Sequence, residues 1–237
     1  MALEGRNRWI ALTGAAVAAI AVATFGWRLV TRTSDTDRAM AELRNLPLVG
    51  LVMVDVPGFE ARLRTAIEDE QRSPTQQGPP RAVLVVSDMR KNYIGPALTA
   101  ADEASADAVM TARAELVRHL QQANLPACRE FSSTGIQRAD KLDNESQRLV
   151  RNVLSAMEAA YRNGRTSGSK PRPVANDQEF VAMLSEAGFT EADFQKIGDN
   201  LKLSDAELCA LQLRIDTAPA KLAADKRGAF VRYLLAH

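Results

Sequence analysis

No charged residue falls between Arg8 and Arg28. With its continuation to Val30, this run reads WIALTGAAVAAIAVATFGWRLV, close to the ~20 apolar residues a helix needs to cross a bilayer. A chain carrying such a run divides into a lipid-facing rod and a polar remainder that folds in water. Trp9 and Trp27 stand at the two ends, where amphipathic rings favour the water–hydrocarbon boundary, and Arg28 can snorkel past it. Residues 9–30 are therefore expected to be a single transmembrane anchor, preceded by a short tail at 1–8.

The competing reading is a signal peptide cleaved after Ala21-Val22-Ala23, which fits the small-residue pattern of cleavage sites. A signal peptide has a shorter apolar core, on the order of 7–15 residues, so length and flanks favour the anchor. Basic residues are nearly balanced, with Arg6 and Arg8 before the run and Arg28, Arg32 and Arg38 after it. A span placed this early most often acts as a signal anchor and exports the rest of the chain. Ala11, Ala15, Ala19 and Ala23 share one helix face, a stripe that an alanine-rich span also produces by chance.

The roughly two hundred residues after the anchor suffice for one ordinary domain or two small ones. A charged content of 25% beside 46% hydrophobic residues is that of a globular protein. Net charge is +1 and aromatics are 5%, leaving neither a basic excess for phosphates nor many stacking platforms for bases. No nucleic-acid partner is expected.

Cys128 and Cys209 are the two cysteines. They lie about eighty residues apart, and closing that loop contributes roughly 4 kcal/mol in the chain-entropy model. In an exported domain they are expected to pair; in a cytoplasmic one they are two buried thiols.

Along the chain, helical patterning dominates. Residues 35–46 carry an apolar side of Ala39, Met40, Leu43 and Leu46 ended by Pro47. Residues 57–72 form a helix with Pro57 in its first turn and Phe59, Leu63, Ala66 and Ile67 on one face. The flanking runs LVGLVMV at 48–54 and AVLVV at 82–86 fit a strand or a buried helix. Two strands would make one small βαβ unit at 48–88, an α+β alternative; nothing else extends such a sheet, so both are read as helices.

SPTQQGPP at 73–80 is a loop and KNYIGP at 91–96 a turn. A helix starting near Thr99, with Asp102 and Glu103 in its first turn, runs to about Asn124 and is stopped by Pro126. Its stripe is Val109, Ala112, Leu116, Val117 and Leu120. Cys128 then falls in a connection. A second long helix, from about Ala139 to Asn163, repeats Leu149, Val150, Val153, Leu154, Met157, Ala160 and Tyr161, which suggests an antiparallel hairpin with the first.

NGRTSGSKPRPVAN has the composition of a linker, placed at 164–176, between a helical domain at 31–163 and a small C-terminal subdomain at 177–237. Asn176 with Glu179, Thr190 with Asp193, and Ser204 with Glu207 have the spacing of capping boxes. The fold class is accordingly mainly all-α: one transmembrane helix, a soluble bundle and a C-terminal helical subdomain.

Reaction chemistry is sparse. His119 and His237 are the only histidines, and the chain has no HExxH, CxxC, Walker loop or GxGxxG. Ser167 and Lys170 have SxxK spacing but sit among linker prolines rather than at a helix start. Glu68, Asp69, Glu70, Asp102, Glu103 and Glu115 include no pair that spacing selects for acid–base work. Arg162, Arg165, Lys170 and Arg172 form a weak basic cluster of the kind that meets anionic lipid or simply a solvated linker. No catalytic, metal or cofactor site is assigned.

The expectation is a membrane-anchored helical binding or scaffold protein of a bacterial inner membrane, its soluble domain periplasmic and its partner a protein of the envelope. The bacterial reading rests on the compact anchor and the Ala- and Arg-rich composition. Alternatives are an envelope hydrolase using a carboxylate pair and a cytoplasm-facing adaptor. Leu213, Phe230 and Leu234 are candidates for a partner groove or for the core.

Overall fold

The computed structural model describes residues 36–76, 80–133, 135–136, 141–166 and 172–236. The anchor at 9–30, with Trp9, Trp27 and Arg28, lies outside the described residues, as do the tail at 1–8 and the Ser167–Lys170 stretch. Among the described residues no helix is long and apolar enough to cross a membrane.

The described chain is all-α, with no strand. Its helices are α1 (Thr36–Arg44), α2 (Val49–Asp55), α3 (Phe59–Arg72), α4 (Arg81–Met89), α5 (Gly95–Ala100), α6 (Glu103–Ala123) and α7 (Leu125–Ser133). They continue as α8 (Asn144–Thr166), α9 (Asp177–Glu186), α10 (Glu191–Gly198), α11 (Asp205–Thr217) and α12 (Ala224–Ala236). Both ambiguous apolar runs are helical, as α2 and α4, and the βαβ alternative is excluded.

α6 is the axis of the bundle. It packs against α7, α8, α11 and α12, while α5 packs against α8 and α12. The α6–α8 pair is antiparallel, and its two ends show how. Asp102 caps α6 by accepting from the Ser105 amide at 2.8 Å, and exchanges hydrogen bonds with Asn163, near the end of α8. At the opposite end His119 Nε2 lies 3.5 Å from Oδ1 of Asp143, which in turn accepts from the Ser146 amide as α8 begins. Between these clasps Val109, Leu116, Val117 and Leu120 of α6 and Leu149, Val150, Val153, Leu154, Met157, Ala160 and Tyr161 of α8 are all buried.

Several boundaries differ from the sequence reading. The helix over 57–72 starts at Phe59, behind a left-handed Gly58, so Pro57 precedes it. KNYIGP is not a turn: the chain stays helical through a π-helical widening at Arg90–Ile94, where the Gly95 amide donates to the Arg90 carbonyl. The widening accommodates Pro96, which has no amide to donate. Asp102, not Thr99, caps α6. α6 ends at Ala123 with Asn124 as its C-cap, as expected, but Pro126 also opens a helix: it sits in the first turn of α7, where a missing amide costs nothing, and Cys128 is therefore helical. α8 starts at Asn144 and reaches Thr166, taking Gly164, Arg165 and Thr166 from the presumed linker.

All three capping boxes form, at Asn176, Thr190 and Ser204. α11 packs on α6 and α7, α12 packs on α5 and α6, and α9 packs on α12. One buried apolar cluster runs from Met40 to Leu235. Phe230 and Leu234 belong to that core, and Leu213 packs partly buried against it.

Candidate functional site

Each acid singled out in the sequence has a structural position. Glu70 is buried, at 4% exposure. It accepts from the Thr75 amide and hydroxyl and from the Arg81 amide, which ties Thr75 to the first residue of α4. Burial pushes its carboxyl up, but these hydrogen bonds outweigh it and hold the group below the ordinary glutamate range. Glu68 and Asp69 make surface ion pairs with Arg64 and Arg72 on their own helix, and Asp102 is spent as the α6 cap. Glu115 lines a cleft.

That cleft, about 360 Å³ in volume, lies where the solvent-side face of α6 meets the junction of α11 and α12. Asp107, Thr111, Glu115 and Arg118 come from α6 at intervals of three or four residues, which places them on one helix face. Met110 and Ala114 supply the apolar base of the same wall. Asp216 and Thr217 end α11, Pro219 and Ala220 belong to the short 3₁₀ turn after it, and Arg227 comes from α12. Arg227 ties the junction together by donating from Nε to the Pro219 carbonyl at 3.1 Å and from Nη2 to the Leu222 carbonyl at 3.4 Å.

The floor carries a buried ion pair. Arg113 and Asp216 have side-chain exposures of 2% and 0%. Asp216 Oδ1 accepts from Arg113 Nε at 3.3 Å, from Arg113 Nη2 at 3.1 Å and from Gln212 Nε2 at 2.9 Å. The guanidinium also lies over the Phe131 ring, 5.3 Å from its centroid. All of these donors converge on one oxygen. Asp216 Oδ2 and Arg113 Nη1 are buried without a hydrogen-bond partner.

Burial raises the Asp216 carboxyl above the aspartate range, and the opposing pull of Arg113 and Gln212 does not cancel it. Asp107, half-buried, is also raised by burial, with Arg227 acting against it. Burial acts on both carboxyls in the same direction at one cleft. Sequence reasoning singles out neither. The signal is nevertheless there: Arg113 falls on the apolar stripe of α6, four residues after Val109, and Asp216 falls beside Ile215 on that of α11.

The sulfurs of Cys128 on α7 and Cys209 on α11 are joined, with Cα atoms 5.8 Å apart. Both residues are fully buried. The bridge fixes α11 against α7, and α7 contributes the Phe131 ring over which Arg113 lies. His119 stands at the α6–α8 clasp, away from the cleft lining, and among the described residues no cluster of His, Cys, Asp and Glu could hold a metal ion. No protein-family model, curated protein or solved structure matches this chain.

Proposed function

We propose that this chain is a membrane-tethered helical binding protein of a bacterial cell envelope, held at the inner membrane by residues 9–30 with its helical body on the periplasmic side. The recognition site in this reading is the cleft between α6 and the α11–α12 junction. One observation carries it: a fully buried aspartate, Asp216, is among the residues that line that cleft, and one of its carboxyl oxygens has no hydrogen-bond partner. A buried acceptor left unmatched costs on the order of 1–3 kcal/mol, so a ligand donor placed there recovers a large part of that cost. The joined cysteines support export, because such bonds persist in oxidising compartments.

Two measurements test this reading. Native mass spectrometry of the full-length chain, extracted in mild detergent, should show a bound adduct that Ala220→Trp removes; Ala220 is exposed on the cleft edge, so the indole closes the cleft without entering the core. Carbonate washing should leave the chain in the membrane pellet. An adduct untouched by Ala220→Trp removes the cleft from the reading, and release by carbonate removes the tether.

A further inference from the structure

A volume of about 360 Å³ sits at the small end of ligand pockets, which run from roughly 300 to 1,000 Å³. The occupant is therefore a small molecule or the end of a chain rather than a docked helix. Charges of both signs stand around it. Asp216 Oδ2 lacks a donor. Among the described residues, neither the Asp107 carboxylate nor the Arg118 guanidinium has an ion-pair partner. A lone anion meets Asp107, Glu115 and Asp216; a lone cation meets Arg118 and Arg227. A ligand presenting both signs is opposed by neither set.

We propose that the cleft takes a zwitterion of the amino-acid or short-peptide class, its ammonium donating to Asp216 Oδ2 on the floor and its carboxylate turned to Arg118 on the rim. This rests on the cleft being the binding site. Asp107 is the second acid available to the ammonium, and Met110 and Ala114 provide the apolar base for the ligand's carbon atoms. Arg227, already donating to two carbonyls, holds the α11–α12 junction in shape rather than reaching for the ligand.

The test is equilibrium dialysis of the full-length chain in detergent against an equimolar pool of free dipeptides. The same pool is run N-acetylated and, separately, C-amidated, with retained species read by mass spectrometry. The free pool should be retained, and each blocked pool retained at least tenfold less. Arg118→Gln should abolish the discrimination between free acid and amide while leaving the discrimination against N-acetylation. Asp107→Asn should weaken retention of the free pool several-fold, and this variant does not disturb the buried Arg113 pair. Absence of retained free dipeptide, or equal retention of the blocked pools, overturns the proposal. If free dipeptides are not retained while the native adduct is still lost in Ala220→Trp, the ligand class falls and the cleft stands. An adduct that survives Ala220→Trp takes both down.

Discussion

Arg113 and Asp216 are withdrawn from solvent together, yet their contact satisfies only part of each group. Removing two charges from water costs several kcal/mol per ion, and mutual attraction recovers this only when the remaining polar atoms are also matched. Here Arg113 Nη1 and Asp216 Oδ2 are not. Arg113→Met alone should therefore destabilise by about 3–5 kcal/mol, whereas Arg113→Met with Asp216→Leu should recover most of that loss; a urea-denaturation double-mutant cycle measures both. Asp193 is the opposite case. The Arg214 guanidinium holds its carboxyl below the usual range against a smaller effect of burial, and Thr190 adds hydrogen bonds from its amide and hydroxyl, each at 2.8 Å. A depressed folded-state value means stability that is complete above the unfolded aspartate value near ~3.9 and lost as pH falls through the lower folded one. The gap between the parent and Asp193→Asn, about 1–3 kcal/mol at pH 7, should accordingly begin to narrow below about pH 4 and keep narrowing as pH falls toward the lower folded value, measured by denaturation at a series of pH values. The Asp193–Thr190 box was legible in the sequence because it is local. The Arg113–Asp216 pair was not, because two charges on two apolar stripes become partners only once the helices are docked.

At the scale of helices, periodicity found every long element and misjudged the stretch that carries Pro96. Pro96 reads as part of a turn, yet it is absorbed by a π-helical widening; Pro126 reads as the stop of α6, which does end at Ala123, but it also opens α7. The first three residues assigned to the linker, from Gly164 to Thr166, are helical instead. That glycine is helical and buried, and a Cβ there would lie 1.8 Å from the Ala97 carbonyl oxygen. Gly164 is thus the point where α8 crosses the backbone of α5, and composition made a packing contact look like the start of a linker. Gly164→Ala gains helix propensity but must push α5 away. The net expectation is a loss of about 3 kcal/mol, the upper part of the overpacking range, seen as a lowered urea midpoint with an unchanged slope. Gly58 offers the contrast: its φ is +72°, nothing surrounds it, and its substitution is strained by backbone conformation rather than by contact.

For the molecule as a whole, the question is whether the C-terminal helices melt as a unit of their own or with the rest. Capping boxes at Asn176, Thr190 and Ser204 make α9, α10 and α11 locally self-consistent, as a separate subdomain would be. Their packing argues for coupling: α11 lies on α6 and α7, α12 lies on α5 and α6, and the buried cluster is continuous from Met40 to Leu235. The Cys128–Cys209 bond adds a covalent link across 81 residues of sequence. In the chain-entropy model a loop of that length restricts the unfolded chain enough to contribute roughly 4–5 kcal/mol, whatever its effect on the folded state. Replacing both cysteines with serine should therefore lower stability by about that amount, with some further loss from placing hydroxyls in a buried site. Because apolar contact also couples α11 and α12 to α6, the variant should still unfold in one transition, with helicity and native-state hydrogen exchange of α9 to α12 reporting the same midpoint as α6 and α8. An early, separate loss of protection in α9 to α12 would mean that the disulfide, and not the shared core, holds the C-terminal helices in place. The cleft, which needs α6, α11 and α12 at once, would then depend on the oxidised state.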